Sequence, residues 1–143
     1  MKEGLKPGLS HELTYRVPRE KTVPHLYPEA AEFGEMPQVF ATGFMVGLIE
    51  WACLLAVKPY LDWPREMTVG THVNFSHLAA TPPGLTVRVE VTLTEVLGRK
   101  LAFSARATDG VDLISEGTHE RFVIDAEAFN RKAGDKVRRA SQS

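Results

Sequence analysis

The sequence predicts an α+β fold in which a five-stranded antiparallel sheet wraps one long buried helix. Three observations carry that expectation. Residues 39–57 read VFATGFMVGLIEWACLLAV, a stretch whose strongly polar side chains are Thr42 and Glu50. Beyond it the apolar residues switch to a period of two over successive segments, the pattern of half-buried strands. Those segments are joined mainly by short turns bearing Gly or Pro, which favour antiparallel neighbours.

Taken in order, residues 9–17 (LSHELTYRV) alternate loosely and form a first strand. Pro18, Pro24, Pro28 and Pro37 impose an irregular loop over residues 18–38, with one helical turn near PEAAEF. In the apolar run Phe40, Phe44, Gly47, Leu48, Trp51 and Leu55 fall at helical spacing, while Met45, Ile49 and Cys53 cover the other side. A helix apolar nearly all round is expected to be buried nearly all round, and Pro59 and Pro64 end it. Residues 67–77 (MTVGTHVNFSH) are rich in β-formers, and TPPG at 81–84 is a turn. In LTVRVEVTL (85–93) Leu85, Val87, Val89, Val91 and Leu93 share one face, the cleanest strand pattern in the chain. Gly98-Arg99 connects it tightly to KLAFSARAT (100–108), where Leu101, Phe103, Ala105 and Ala107 alternate. Asp109-Gly110 is a hairpin turn into the last strand, residues 113–124 (LISEGTHERFVI). The tail from Asp125 begins as a short helix and is expected to fray over roughly 134–143 into polar RRASQS.

The 143 residues make one expected domain, 1–143, long enough to bury a core. Hydrophobic residues at 43% and charged residues at 24% are ordinary for a soluble globular protein, and a net charge of −1 argues against nucleic acid as a partner. Cys53 is the only cysteine, so no internal disulfide forms, and within the apolar run it reads as a core residue. The segment MKEGLKPGLSHEL lacks the apolar stretch of a secretory signal, so a cytoplasmic protein is expected. The apolar run approaches the length of a membrane span, but Glu50 at its centre would cost about 2–3 kcal/mol there, so no membrane is expected. A sheet covers such a helix on one side only, which makes a homodimer the economical arrangement.

Glu50 is the first candidate for chemistry. A carboxylate in an apolar pocket serves a general base or a nucleophile, while a Glu on a narrow wet stripe of the helix serves neither. Thr42 reads either as a helix N-cap or as a site hydroxyl, and His77 as a strand-end histidine or a proton carrier. Gly70 marks a bulge or a close backbone approach. His11, His25, His72 and His119 show no metal-ligand spacing, and no phosphate-binding loop or GxSxG elbow is present. No metal and no cofactor are expected.

Four blocks, KTVPHLYPEA (21–30), VFATGFMVGLIEWAC (39–53), HLAATPPGLTV (77–87) and DGVDLISEGTHER (109–121), resemble the fluoroacetyl-CoA thioesterase family of the hotdog fold. The resemblance implies an acyl-CoA thioesterase that hydrolyses a short-chain, fluoroacetyl-CoA-like substrate to carboxylate and free CoA. It implies Thr42, Glu50 and His77 as catalytic residues, with Gly70 and Arg121 at the substrate and Val23, Leu26 and Phe33 as apolar walls. Where that family sets an aromatic side chain over the acyl pocket, this chain has Met36, a flexible residue that makes a less rigid lid. Thr42 and Glu50 lie eight residues apart, about 12 Å along a helix axis, which calls for a bridging histidine or water, and the resemblance makes His77 the candidate. Two other functions remain open for such a fold: a hydratase or dehydratase, and a non-catalytic acyl-CoA-binding protein. The first normally carries a close Asp and His in a strand-to-helix loop, and no such pair occurs.

Overall fold

Period-two alternation builds the sheet. The computed structural model describes residues 1–142, which form strands β1 (Ser10–Arg16), β2 (Glu66–Phe75), β3 (Thr86–Leu97), β4 (Lys100–Thr108) and β5 (Leu113–Asp125). They lie in the order β1-β3-β4-β5-β2, with every neighbouring pair antiparallel. The alternation read from sequence sorts the faces of two inner strands: Val87, Val89, Val91 and Leu93, with Leu101, Phe103, Ala105 and Ala107, are all buried. Leu85 falls one residue ahead of β3 and is half-buried. Gly98 (φ +59°) and Gly110 (φ +88°) take the left-handed backbone that the turns on either side of β4 require.

The expected loop after β1 holds two short 3₁₀ turns and one helical turn, α1 (Ala31–Gly34), overlapping the end of PEAAEF. The apolar run becomes helix α2 (Thr42–Val57), followed by a 3₁₀ turn through Pro59. Helix α2 packs chiefly on β3 and β1, burying Met45, Leu48, Ile49, Ala52, Cys53, Ala56 and Val57. Within the single chain that burial is one-sided. Thr42, Gly43, Gly47 and Trp51 are exposed, and Phe44, Val46, Glu50 and Leu54 are half-buried. A single sheet layer covers one side of a helix, whatever the hydropathy of the other.

Strand β2 pairs with β5, not with β3, so residues 76–85 cross from one edge of the sheet towards the other. Backbone bonds tie this crossing down: Ser76 N to Glu116 O (3.0 Å), Leu78 N to Ile114 O (2.8 Å), and Phe40 N to Thr81 O (2.8 Å). The last of these lashes the crossing to the start of α2. A final helix, α3 (Ala126–Ser141), is capped by the Asp125 carboxylate, which accepts from Ala128 N at 3.0 Å. It runs well past the short helix expected, through residues assigned to a frayed tail, and buries none of its own residues. Residue 143 of that tail lies outside the described residues.

Candidate active site

Thr42 is the first residue of α2, and Ala41, not Thr42, occupies the cap position. The hydroxyl is therefore free of capping and meets His77 instead, with Oγ1 2.7 Å from Nδ1. The crossing segment delivers that histidine, because Leu78 N is fastened to β5 and Thr81 O to Phe40 N. Nε2 of His77 is shielded from solvent and has no hydrogen-bond partner among the described residues. Burial of the ring holds its pKa below the ordinary imidazole value, so His77 is neutral at neutral pH. The first backbone bond within this turn runs from Met45 N to Ala41 O (2.9 Å), so the N–H groups of Gly43 and Phe44 lie ahead of the helical ladder. A cleft of about 320 Å³ opens here, lined by Thr42, His77, Val23, Val39, Phe40 and Leu78 among others.

Two turns on, Glu50 belongs to a second cluster. Its Oε2 accepts from Arg121 Nη1 at 2.7 Å, and its side chain keeps 35% exposure while that of Arg121 keeps 4%. The guanidinium is occupied elsewhere too: Nε donates to Thr68 Oγ1 (2.8 Å) and Nη2 to Thr68 O (2.9 Å). Arg121 is thus a buried anchor beneath Glu50, neither a solvated strand residue nor an exposed cation open to CoA phosphates. Gly70 sits opposite Arg121 in the β2–β5 register. A Cβ at Gly70 would lie 2.8 Å from Glu50 Oε2, 3.3 Å from His119 Cε1 and 3.4 Å from Arg121 Nη1. The close-approach reading of this glycine therefore applies, and a register shift follows it between Gly70 and His72.

The expected bridge of His77 between Thr42 and Glu50 does not form within the chain. His77 bonds Thr42 and Glu50 bonds Arg121, because eight residues of helix separate the two by about 12 Å of rise. Nor is Glu50 sealed in an apolar pocket; it stands at the margin of the uncovered helix face. Beside it a groove of about 310 Å³ is lined by Tyr15, Lys21, Gly43, Phe44, Gly47 and Trp51 among others. Lys21 Nζ lies 4.8 Å from the centre of the Phe44 ring.

The apolar wall residues divide. Val23 lines the Thr42–His77 cleft, and Leu26 Cδ2 lies 3.2 Å from where a Gly43 Cβ would stand. Phe33 stacks on Tyr27 at 5.9 Å between ring centres, and Met36 is 49% exposed; neither lines that cleft. Cys53, one turn beyond Glu50, is fully buried, and burial pushes its thiol up to about 12, which removes it as a nucleophile.

Sequence reasoning missed His119 and Thr68. His119 is fully buried, with Nε2 3.1 Å from Arg121 Nη1. A signal for it existed: His119, Arg121 and Val123 share one strand parity, so a buried valine predicts a buried histidine and arginine.

Comparison with known proteins adds to this geometry. The family model of fluoroacetyl-CoA-specific thioesterases matches residues 20–127. A fluoroacetyl-CoA thioesterase from Streptantibioticus cattleyicolor is 54% identical over 137 residues, which cover 96% of this chain and 98% of the relative. A solved phenylalanine-to-alanine mutant of fluoroacetyl-CoA-specific thioesterase, in complex with fluoroacetate and CoA, aligns with TM-score 0.85 and 54% identity over 87% of this chain and 99% of its own. A thioesterase superfamily member from Thermus thermophilus aligns with TM-score 0.83 and 25% identity over 96% of each chain.

Proposed function

The chain belongs to the fluoroacetyl-CoA-specific thioesterase family, and from that premise we propose how its site works. It is a hotdog-fold acyl-CoA thioesterase, which hydrolyses a short-chain, fluoroacetyl-CoA-like thioester to a carboxylate and free CoA. The observation that carries the mechanism is Glu50, pinned from beneath by Arg121 yet open to solvent on its other side.

Glu50 supplies the nucleophile. In one route it takes a proton from water as the water oxygen bonds to the thioester carbon; in the other its own oxygen bonds to that carbon and water later opens the anhydride. Either way the carbonyl becomes an oxyanion, and the N–H groups of Gly43 and Phe44 at the positive end of α2 are suited to hold it. Collapse breaks the C–S bond and the CoA thiolate leaves. The proton it takes up is one lost by the attacking water, in either route, carried by way of His77, whose Nε2 is unclaimed by the protein. Thr42 fixes the His77 ring through Nδ1 and orients the acyl group.

This scheme needs the two clusters closer together than one helix allows. The homodimer expected from sequence supplies that closeness. The uncovered face of α2 carries Thr42, Gly43, Gly47 and Trp51, and the β2 edge is exposed from Gly70 to Asn74. A second copy covering both would set Glu50 of one chain against the Thr42–His77 pair of the other.

The acyl group is small, bounded by Val23 and Leu26. Met36, exposed and flexible where the family resemblance calls for an aromatic lid, favours relaxed selection between fluoroacetyl and acetyl. The test is hydrolysis of fluoroacetyl-, acetyl- and propionyl-CoA, following free thiol, with Glu50→Gln alongside. Comparable turnover of the three, abolished in the variant, is the expected result. Undiminished turnover in Glu50→Gln would overturn the mechanism, and a strong fluoroacetyl preference would overturn the relaxed selectivity.

A further inference from the structure

We propose that His119 is a positioning residue for the Glu50 carboxylate, acting through Arg121; the proposal rests on the role given to Glu50 above. An imidazole with no exposure is costly unless both nitrogens are hydrogen-bonded. Nδ1 lies 2.7 Å from the carbonyl oxygen of His72, an acceptor, so Nδ1 carries the hydrogen. That choice leaves Nε2 bare, and a bare Nε2 accepts from Arg121 Nη1 at 3.1 Å.

The consequence passes to the carboxylate. Nη1 of Arg121 has two hydrogens in a rigid plane; one meets His119 Nε2 and the other meets Glu50 Oε2. Thr68 takes one hydrogen each from Nε and Nη2 of the guanidinium. Four contacts thus fix the plane, and the direction of the hydrogen offered to Glu50 is set by the one accepted at His119. The carboxylate itself is half-exposed on a flexible side chain, so its direction depends on this anchor. The Phe75 and Phe103 rings, 5.7 and 6.5 Å from that of His119, close the apolar sides of the imidazole.

The charged and titratable groups facing His119 are Arg121 on its own strand, His72 on β2 and Glu50 on α2. Burial and Arg121 lower its pKa, while the His72 carbonyl and Glu50 raise it, with burial the largest influence. A proton on Nε2 would turn the acceptor into a donor and set a second cation against the guanidinium. The neutral Nδ1–H ring is therefore the form that serves the site.

Two substitutions separate positioning from mere filling. The His119→Asn side chain keeps a donor near the Nδ1 place and leaves Arg121 without its acceptor. The His119→Gln side chain reaches further and returns an acceptor oxygen to the Nε2 place. We expect kcat to fall about 10- to 100-fold in His119→Asn with KM nearly unchanged, as for a catalytic group displaced by about an ångström. Recovery to within a few-fold of wild type is expected in His119→Gln. Equal losses in the two variants, or a loss that tracks melting temperature and KM, would overturn the proposal. Imidazole ¹⁵N NMR on the unmutated protein reads the same claim without relying on a variant that folds. A neutral Nδ1–H tautomer at His119 is expected, and an Nε2–H tautomer or imidazolium at neutral pH would sink it. If Glu50→Gln turns over at the wild-type rate, the reading of Glu50 has failed. If Glu50→Gln is dead and His119→Asn is fully active, only the His119 proposal has failed.

Discussion

Replacing Gly70 with alanine adds one carbon at the point where three groups of the Glu50 cluster converge. That carbon would stand 2.8 Å from Glu50 Oε2, against about 3.5 Å for an ordinary contact. Its distances of 3.3 Å to His119 Cε1 and 3.4 Å to Arg121 Nη1 are tolerable or nearly so. The group that must yield is therefore the carboxylate, the free end of a half-exposed side chain, by about 0.7 Å. Taken along its bond to Arg121, now 2.7 Å, that displacement gives about 3.4 Å, beyond a good N–H···O bond. A catalytic group shifted by most of an ångström loses on the order of tenfold or more in kcat. Stability carries two opposed contributions, of which the loosened Glu50–Arg121 bond is the unfavourable one. Gly70 has no positive φ, so alanine fits the strand, and a stiffer unfolded chain contributes about 0.4–1 kcal/mol in favour of folding. The assay is free-thiol release from acetyl-CoA, paired with calorimetric melting. A kcat within twofold of wild type, in a protein that melts normally, would refute the claim that this glycine makes room for the carboxylate.

Other expectations bear on the same architecture. Thr42→Ala and Glu50→Gln chains, each inactive alone, should regain about a quarter of wild-type activity when mixed and refolded, since random pairing makes half the dimers mixed with one intact site in each; no recovery would place each site within a single chain. Arg121→Leu should lower urea-unfolding stability by about 2 kcal/mol, less than for a fully buried pair because Glu50 is 35% exposed, and should depress kcat towards that of Glu50→Gln; retained activity would deny Arg121 its anchoring role. Burial depresses both His77 and His119 from their ordinary value of 6.5, so the unfolded chain takes up protons first as pH falls below it. Stability is then fully present above about pH 6.5 and declines below it, which urea midpoints at pH 7.5 and 5.5 would register; an unchanged or higher midpoint at pH 5.5 would contradict the direction of those shifts.

The parts of the fold that were legible in sequence are those governed by local pattern. Val87 to Leu93 and Leu101 to Ala107 announce their strands and their buried face through period two, and Gly98 and Gly110 mark the turns where the backbone must go left-handed. Long-range pairing was not legible. Nothing in MTVGTHVNFSH says that it pairs with residues 117–125 and not with the strand that follows, and this displacement brings His77 to the helix start. Within the site, Thr42, Glu50 and His77 could be named from the resemblance, but their partners depend on register and rise. Arg121 shows the difference: its place in THER was visible, whereas its contacts with Glu50, Thr68 and His119 arise only once β2 lies beside β5. The bare face of α2 follows from the layer arrangement: hydropathy reports what prefers burial, while one sheet layer covers a single side of the helix and leaves the rest to a second copy, as the homodimer expectation requires.

Cys53 acquires a meaning from the product of the reaction. Each turnover sets free a thiol, and CoA once oxidised to its disulfide exchanges with any cysteine that can present a thiolate. Cys53 is fully buried and its thiol is pushed up to about 12, so it stays protonated at neutral pH. A mixed disulfide with CoA thus has neither a path to the sulfur nor an anion to begin from. The chain's only sulfhydryl is chemically silent beside a site that releases sulfhydryls, and accumulated product cannot scar the helix that made it.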